Sequence, residues 1–252
     1  MDIFQLRMQH SSLQFSDKPR QQRRDIRDLF ALGPRFPVKS GTEAGKSSTN
    51  RNREYLKHFA ELYEHRIHFA ADNWVAVHRD IIRPNSWDTG HVFAVDNAET
   101  KGRGHDTVMA TVHFDHVEDG FGEVNIGAVH YPTQGRTPKD PNWDENKQAA
   151  EIFGAWLEEV AQGSALGFIN GDFNMADPIA DWAFGENFTS MADELGDYEG
   201  TGHGPIDGFT SYDRDGRVSA AAFRVLDDRE FFQHSDHFVC RGVWNVRSLN
   251  AA

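Results

Sequence analysis

Residues 167–174 read Gly-Phe-Ile-Asn-Gly-Asp-Phe-Asn. The apolar run Leu166, Phe168, Ile169 predicts a buried strand, which meets Gly171 just where two oxygen-bearing side chains begin to alternate. A side-chain period of two places Asp172 and Asn174 on one face at the strand's end, and Gly171 lets the backbone pass close to whatever they hold. A carboxylate beside a carboxamide oxygen suits a hard divalent cation or a phosphate-bearing substrate. The competing reading is a strand running into an Asx-rich turn, because Asp, Asn and Gly dominate turns. The rest of the chain tips the balance toward chemistry.

With 252 residues, 38% of them hydrophobic, the chain can bury one large core, and a single domain over residues 1–252 is expected. Its apolar runs fall far short of the ~18 residues that a membrane span needs, so no membrane partner is expected. The first residues, Met-Asp-Ile-Phe-Gln-Leu-Arg, lack a basic segment followed by an apolar one, and the single Cys240 excludes an intramolecular disulfide. A cytoplasmic monomer fits these features. The net charge of −13 argues against a polyanionic partner, since phosphate binding is electrostatic. The average hides an asymmetry: residues 1–60 carry 12 Lys and Arg against 6 Asp and Glu, whereas residues 61–252 carry 14 against 33. A basic N-terminal quarter suits a nucleic acid while the acidic remainder holds metal; alternatively, Arg20, Arg23, Arg24 and Arg27 are the wet face of a helix.

In chain order, Ile3 to Met8 predicts a first strand with Gln9 and His10 at its exit, and a helix follows from Pro19 to Gly33 on the apolar set Ile26, Leu29 and Phe30. Phe36 to Ser40 predicts a second strand, closed by a turn that carries Glu43 between Gly41 and Gly45. A second helix is expected over residues 51–64. From Trp74 the period changes to two, and Trp74–Val77, His91–Val95, Val108–His113 and Val124–Val129 read as four strands in antiparallel pairing, the last ending in His130-Tyr131-Pro132. Residues 144–162 predict a helix on the stripe Ala149, Ile152, Phe153, Trp156, Leu157 and Val160. Beyond Asn174 a helix is expected from Pro178 through Trp182, then a loop-rich insertion over residues 185–204, then strands over Pro205–Thr210, Val218–Val225 and Phe238–Trp244. Roughly ten strands with helices between the early and middle ones predict an α+β sandwich of sheets.

Five strand ends then carry the same sort of chemistry: Glu43, His130, Asp172 with Asn174, Asp207, and Asp236 with His237. Strand ends on one edge of a sandwich converge in space, so carboxylates scattered over about two hundred residues can share one site. The ordered series Gly-Thr-Glu (41–43), His-Tyr-Pro (130–132), Gly-Asp-Phe-Asn (171–174), Ile-Asp-Gly-Phe (206–209) and Ser-Asp-His (235–237) resembles the endonuclease/exonuclease/phosphatase superfamily with its deoxyribonuclease I-like fold. The resemblance implies a four-layer α/β/β/α sandwich of two mixed, largely antiparallel sheets. It implies a divalent-metal-dependent phosphodiesterase, a nuclease with Mg²⁺ or Mn²⁺ as cofactor and nucleic acid as substrate, DNA before RNA. It also implies Glu43 and Asp236 as metal ligands, Asp172 and Asn174 as the pair that orients the attacking water and holds the phosphate, His130 against the scissile phosphate, and Asp207 supporting the catalytic His237. The family's first strand delivers an asparagine to the metal; here Gln9, or His10, stands there, and Gln9 offers the same carboxamide oxygen on a longer arm. Several nucleases of the family bring a second glutamate just before the strand that here begins at Trp74, and Asp72 is the nearest counterpart.

The chemistry also follows from the residues by themselves. Phosphodiester hydrolysis needs charge neutralised on the phosphoryl oxygens, a water aimed in line and a stabilised leaving oxygen. Mg²⁺ on Glu43 and Asp236 serves the first need, while Asp172, or His237 coupled to Asp207, orients and deprotonates the water. Asn174, His130 and a cation such as Arg79 steady the oxygens. His113, Asp115 and His116 look like a zinc cluster, but strand alternation sends His116 to the opposite face and Cys240 is isolated, so zinc is not expected. Two alternatives stand beside the nuclease. One is a phosphomonoesterase or lipid-headgroup phosphodiesterase of the same superfamily, which tolerates an acidic surface better; the other is a catalytically silent binding or inhibitory protein, suggested by Gln9 and the net charge.

Overall fold

Leu6 and Met8 are buried while Gln5 and Arg7, alternating with them, are exposed, and this alternation starts a two-faced sheet. The computed structural model describes residues 2–12, 19–42, 44, 51–95, 107–131, 138–163, 165–174, 188–195, 207–212, 214–226 and 239–249. In chain order these form β1 (Ile3–Ser12), α1 (Pro19–Ala31), β2 (Val38–Thr42), α2 (Arg51–Leu62), β3 (His65–Ala70), β4 (Asn73–His78), β5 (Asp88–Val95), β6 (Thr107–Asp115) and β7 (Glu123–His130). They continue with α3 (Trp143–Val160), β8 (Leu166–Asp172), β9 (Phe188–Ser190), α4 (Met191–Leu195), β10 (Asp207–Tyr212), β11 (Val218–Leu226) and β12 (Val239–Arg247).

The strands make two six-stranded sheets, ordered β11-β12-β1-β2-β4-β3 and β5-β6-β7-β8-β10-β9. Each contains one parallel pair, β1 with β2 and β7 with β8. A parallel pair needs a crossover, and α1 and α3 supply it. The remaining pairs are antiparallel. Between the sheets, Leu6, Met8, Val75, Val77 and Trp244 of the first pack on Val112, Phe114, Ile126, Phe168 and Phe209 of the second. On the outer face of the first sheet, Ile26, Leu29 and Phe30 of α1 and Leu56 and Phe59 of α2 cover Trp74 and Ala76. On the outer face of the second, Phe153 and Leu157 of α3 cover Met109, Val129 and Ile169. The result is the four-layer α/β/β/α sandwich, with two mixed, largely antiparallel sheets. Among the described residues no helix is long and apolar enough to cross a membrane.

Several elements differ from the sequence reading. Trp74–Val77 does not join the antiparallel set that follows it: β4 pairs with β2 and β3 in the first sheet, while β5, β6 and β7 form a meander in the second. The chain changes sheet between two strands of the same period, and periodicity carries no sheet label. Strand β3 was not expected, because at the sheet edge its middle residues are only half-buried and His65-Arg66-Ile67-His68 shows no clean alternation. Within the loop-rich region of residues 185–204, β9 and α4 are regular. The helix expected over Pro178–Trp182 lies outside the described residues.

Candidate active site

The C-terminal ends of β7 and β8 meet at one rim, and their parallel register sets His130 directly beside Asp172. The antiparallel register of β10 places Asp207 on the other side of Asp172. His130 shares the parity of Val124, Ile126 and Ala128, and Asp172 that of Leu166 and Phe168, so both side chains stand on the face turned toward the other sheet. From that sheet the β3–β4 turn brings Asp72. The His130 ring lies between two carboxylates, Nδ1 donating to Asp72 Oδ2 at 3.4 Å and Nε2 standing 3.7 Å from Asp172 Oδ2. All three side chains are more than nine-tenths buried. One imidazole thus ties the rims of the two sheets together.

Gly171 makes the close pairing feasible. A Cβ there would lie 2.3 Å from Val129 Cγ2 and 2.6 Å from Val129 O on the neighbouring strand. Past Asp172 the chain turns sharply: Asn174 takes a left-handed φ of 47°, its amide donates to Asp172 Oδ1 at 3.0 Å, and its Nδ2 donates to Tyr131 O at 2.8 Å. The Asx-turn reading of this stretch holds, and it leaves the second oxygen of Asp172 turned toward the rim. One oxygen of Asp172 closes the turn, and the other faces His130. Tyr131 N donates to Asp172 O at 2.9 Å, so Tyr131 and Asn174 stitch the β7 and β8 ends into one unit.

The first strand behaves differently from the expectation for Gln9. His10 has the inward parity of Leu6 and Met8, and its Nδ1 lies 3.0 Å from Ser40 Oγ on β2. Gln9 faces the helix side, where its Oε1 accepts a hydrogen bond from Arg241 Nε at 3.2 Å. Strand alternation alone separates the two, and it puts His10, not Gln9, toward the space between the sheets. Beside Gln9 in the ladder is Lys39, fully buried, with Nζ donating to Phe36 O. Burial, with the Arg241 charge second, pushes the Lys39 pKa down to about 7. Burial and then the Lys39 charge push His65 down to about 3. This charge therefore belongs to the interior, not to a basic surface.

The structure brings together His130, Asp172, Asn174 and Asp72, and places the backbone of Asp207 in register with them. Glu43, Asp236, His237 and the side chain of Asp207 lie outside the described residues. Arg79 is not brought to the site: it is exposed at the opposite end of β4 from Asp72. Sequence reasoning missed Asn170, two residues before Asp172 and on the same face, whose fully buried carboxamide has no hydrogen-bond partner among the described residues. The period-two rule that placed Asp172 reaches Asn170 as well.

No protein-family model and no curated protein matches the sequence. Solved structures do match. An endonuclease/exonuclease/phosphatase family protein from Bacteroides thetaiotaomicron superposes with a TM-score of 0.68 at 14% identity, over 98% of this chain and 96% of that one. The fold is the endonuclease/exonuclease/phosphatase fold. The human Nocturnin catalytic domain, solved with a bound sulfate anion, superposes with a TM-score of 0.69 at 14% identity, over 98% and 97%. D. rerio TDP2, solved with a single-strand DNA product, superposes with a TM-score of 0.66 at 13% identity, over 96% and 99%. At such identities the likeness is one of backbone, and the endonuclease/exonuclease/phosphatase sandwich is what the chains share.

Proposed function

We propose that this chain is a divalent-metal-dependent phosphodiesterase acting on nucleic acid, with DNA as the first substrate to test. The observation that carries the proposal is the imidazole of His130 held between the carboxylates of Asp72 and Asp172 at a rim where the parallel strands of one sheet end. Buried carboxylates on the two sides of a ring order it and hold it for contact with a phosphoryl oxygen. Asp172, fixed through Oδ1 by the Asn174 amide, keeps Oδ2 to orient a water. Asn174 holds its carboxamide beside it as a phosphate contact. His237, backed by Asp207, is the alternative base. Glu43 and Asp236 are the proposed ligands of Mg²⁺ or Mn²⁺, with His10 better placed than Gln9 to add a contact from the first strand. Such an ion supplies charge neutralisation on the phosphoryl oxygens. The DNA product held by the TDP2 structure supports a nucleic-acid substrate, and the basic N-terminal quarter is compatible with one.

The test is incubation with supercoiled plasmid and with end-labelled single-stranded DNA and RNA, in Mg²⁺, Mn²⁺ or EDTA. Cleavage that needs the ion and disappears in Asp172→Asn is expected. Turnover of nucleotide monophosphates or inositol phosphates with none of nucleic acid would shift the assignment to the phosphomonoesterase or lipid-headgroup alternative. No turnover of any of these would leave a binding protein on the same fold.

A further inference from the structure

A second constellation lies at the opposite rim, where the end of β6 meets the start of β7. A ring nitrogen of His113 and one carboxylate oxygen each from Asp115 and Glu123 lie within 4.8 Å of one another. His113 and Asp115 are i and i+2 on β6, and Asp115 stands directly opposite Glu123 in the antiparallel register. Like charges opposed across a ladder repel, and neither carboxylate has an ion-pair partner among the described residues.

The ring is set for coordination by a residue outside the cluster. Asn125, buried, donates from Nδ2 to Val160 O at 3.2 Å and to Leu166 O at 3.4 Å. Those two carbonyls fix its amide orientation, so Oδ1 faces His113 Nδ1 at 3.0 Å and accepts its proton. The lone pair of the neutral ring is thereby left on Nε2, the arrangement by which an outer amide or carboxylate fixes a metal-binding histidine. Val160 ends α3, so the negative end of that helix dipole adjoins the group and favours a cation there.

We propose that His113, Asp115 and Glu123 bind a first-row transition-metal dication, with Zn²⁺ the best match to one imidazole nitrogen and two carboxylates, water completing the shell. The site is independent of the proposed catalytic rim, seven residues or about 23 Å away along β7. It clamps the β6–β7 hairpin at its turn end. His116, which sequence reading grouped with His113 and Asp115, is on the other face as alternation requires, stacked on Phe121 with ring centroids 4.0 Å apart. The third ligand comes instead from the neighbouring strand.

Zn²⁺ is titrated calorimetrically into the full chain in excess Mg²⁺, which occupies any site at the catalytic rim, with melting temperature followed in parallel. One equivalent is expected to bind and raise the melting temperature, equally in the wild type and in Asp172→Asn. Affinity is expected to fall about tenfold or more in His113→Gln and in Glu123→Gln. Glu123 is exposed, so its variant folds even where the His113 variant does not. Absence of Zn²⁺ binding in excess Mg²⁺, or binding of equal strength in Glu123→Gln, overturns the proposal. Nuclease activity is not needed for either outcome, so failure here leaves the catalytic reading untouched.

Discussion

At the scale of single residues, the proposed site depends on which oxygen of Asp172 does what. Because Oδ1 accepts the Asn174 amide and Oδ2 faces His130, an Asp172→Asn change keeps the turn but removes the negative charge. It is expected to lower kcat by about 100-fold or more with little change in melting temperature, measured by hydrolysis of a labelled oligonucleotide and by circular dichroism. A variant that retains its rate removes Asp172 from the chemistry. His130 was legible as a residue at a strand's mouth, which the resemblance sets against the phosphate, and Asp72 as the nearest counterpart of a second acidic residue; that the two are partners emerged only when the turn between β3 and β4 set them 3.4 Å apart. Lys39 entered the sequence reading only in the charge count of the basic N-terminal quarter, where one residue's burial is not visible. With a folded pKa of about 7 against 10.5 in the unfolded chain, the unfolded state holds the extra proton between those values. Stability therefore rises with pH across that window, by up to about 1.4 kcal/mol per unit, and the contribution is lost as pH falls to 7. Lys39→Met is expected to flatten that rise, so its advantage over wild type is largest at pH 7 and below and shrinks toward pH 10; urea melts across the range measure it.

At the scale of elements, the parallel contact of β7 with β8 positions the site, and Gly171 sets how closely the two strands approach. Gly171→Ala pushes a methyl against the Val129 carbonyl, which as backbone cannot rotate away. The expected cost is roughly 1–3 kcal/mol of stability. Activity should fall further than that loss explains, since Asp172 and His130 sit on the two strands being forced apart. Wild-type activity per folded molecule in the Gly171→Ala variant would show that the register tolerates the shift. The helices α1 to α3 were legible from their apolar stripes, and most strands from their alternation. Strand β3 was not, because an edge strand with half-buried, mixed side chains lacks the contrast on which the reading relies.

At the scale of the whole molecule, the sandwich holds the two rims in line through a shared interior. Phe168 of the second sheet lies against Trp244 of the first, ring centroids 5.8 Å apart, and both are fully buried. Phe168→Ala is expected to cost roughly 3–5 kcal/mol. Both sheets should then unfold together at lower urea, by fluorescence and circular dichroism alike; separate transitions for the two probes would mean that the sheets are not coupled through this interior. Much of the molecule was set along the chain itself: the strand periods, the helical stripes and the order of Asp, Asn, His and Glu at strand ends, because each arises from residues within a few positions of one another. Which sheet β4 joins, that His10 rather than Gln9 faces inward, that Asp72 reaches His130, and that Glu123 joins His113 and Asp115 were decided only on folding. Those outcomes depend on register between strands and on which faces become buried, and both are fixed by contacts between segments whose separation along the chain carries no local signal.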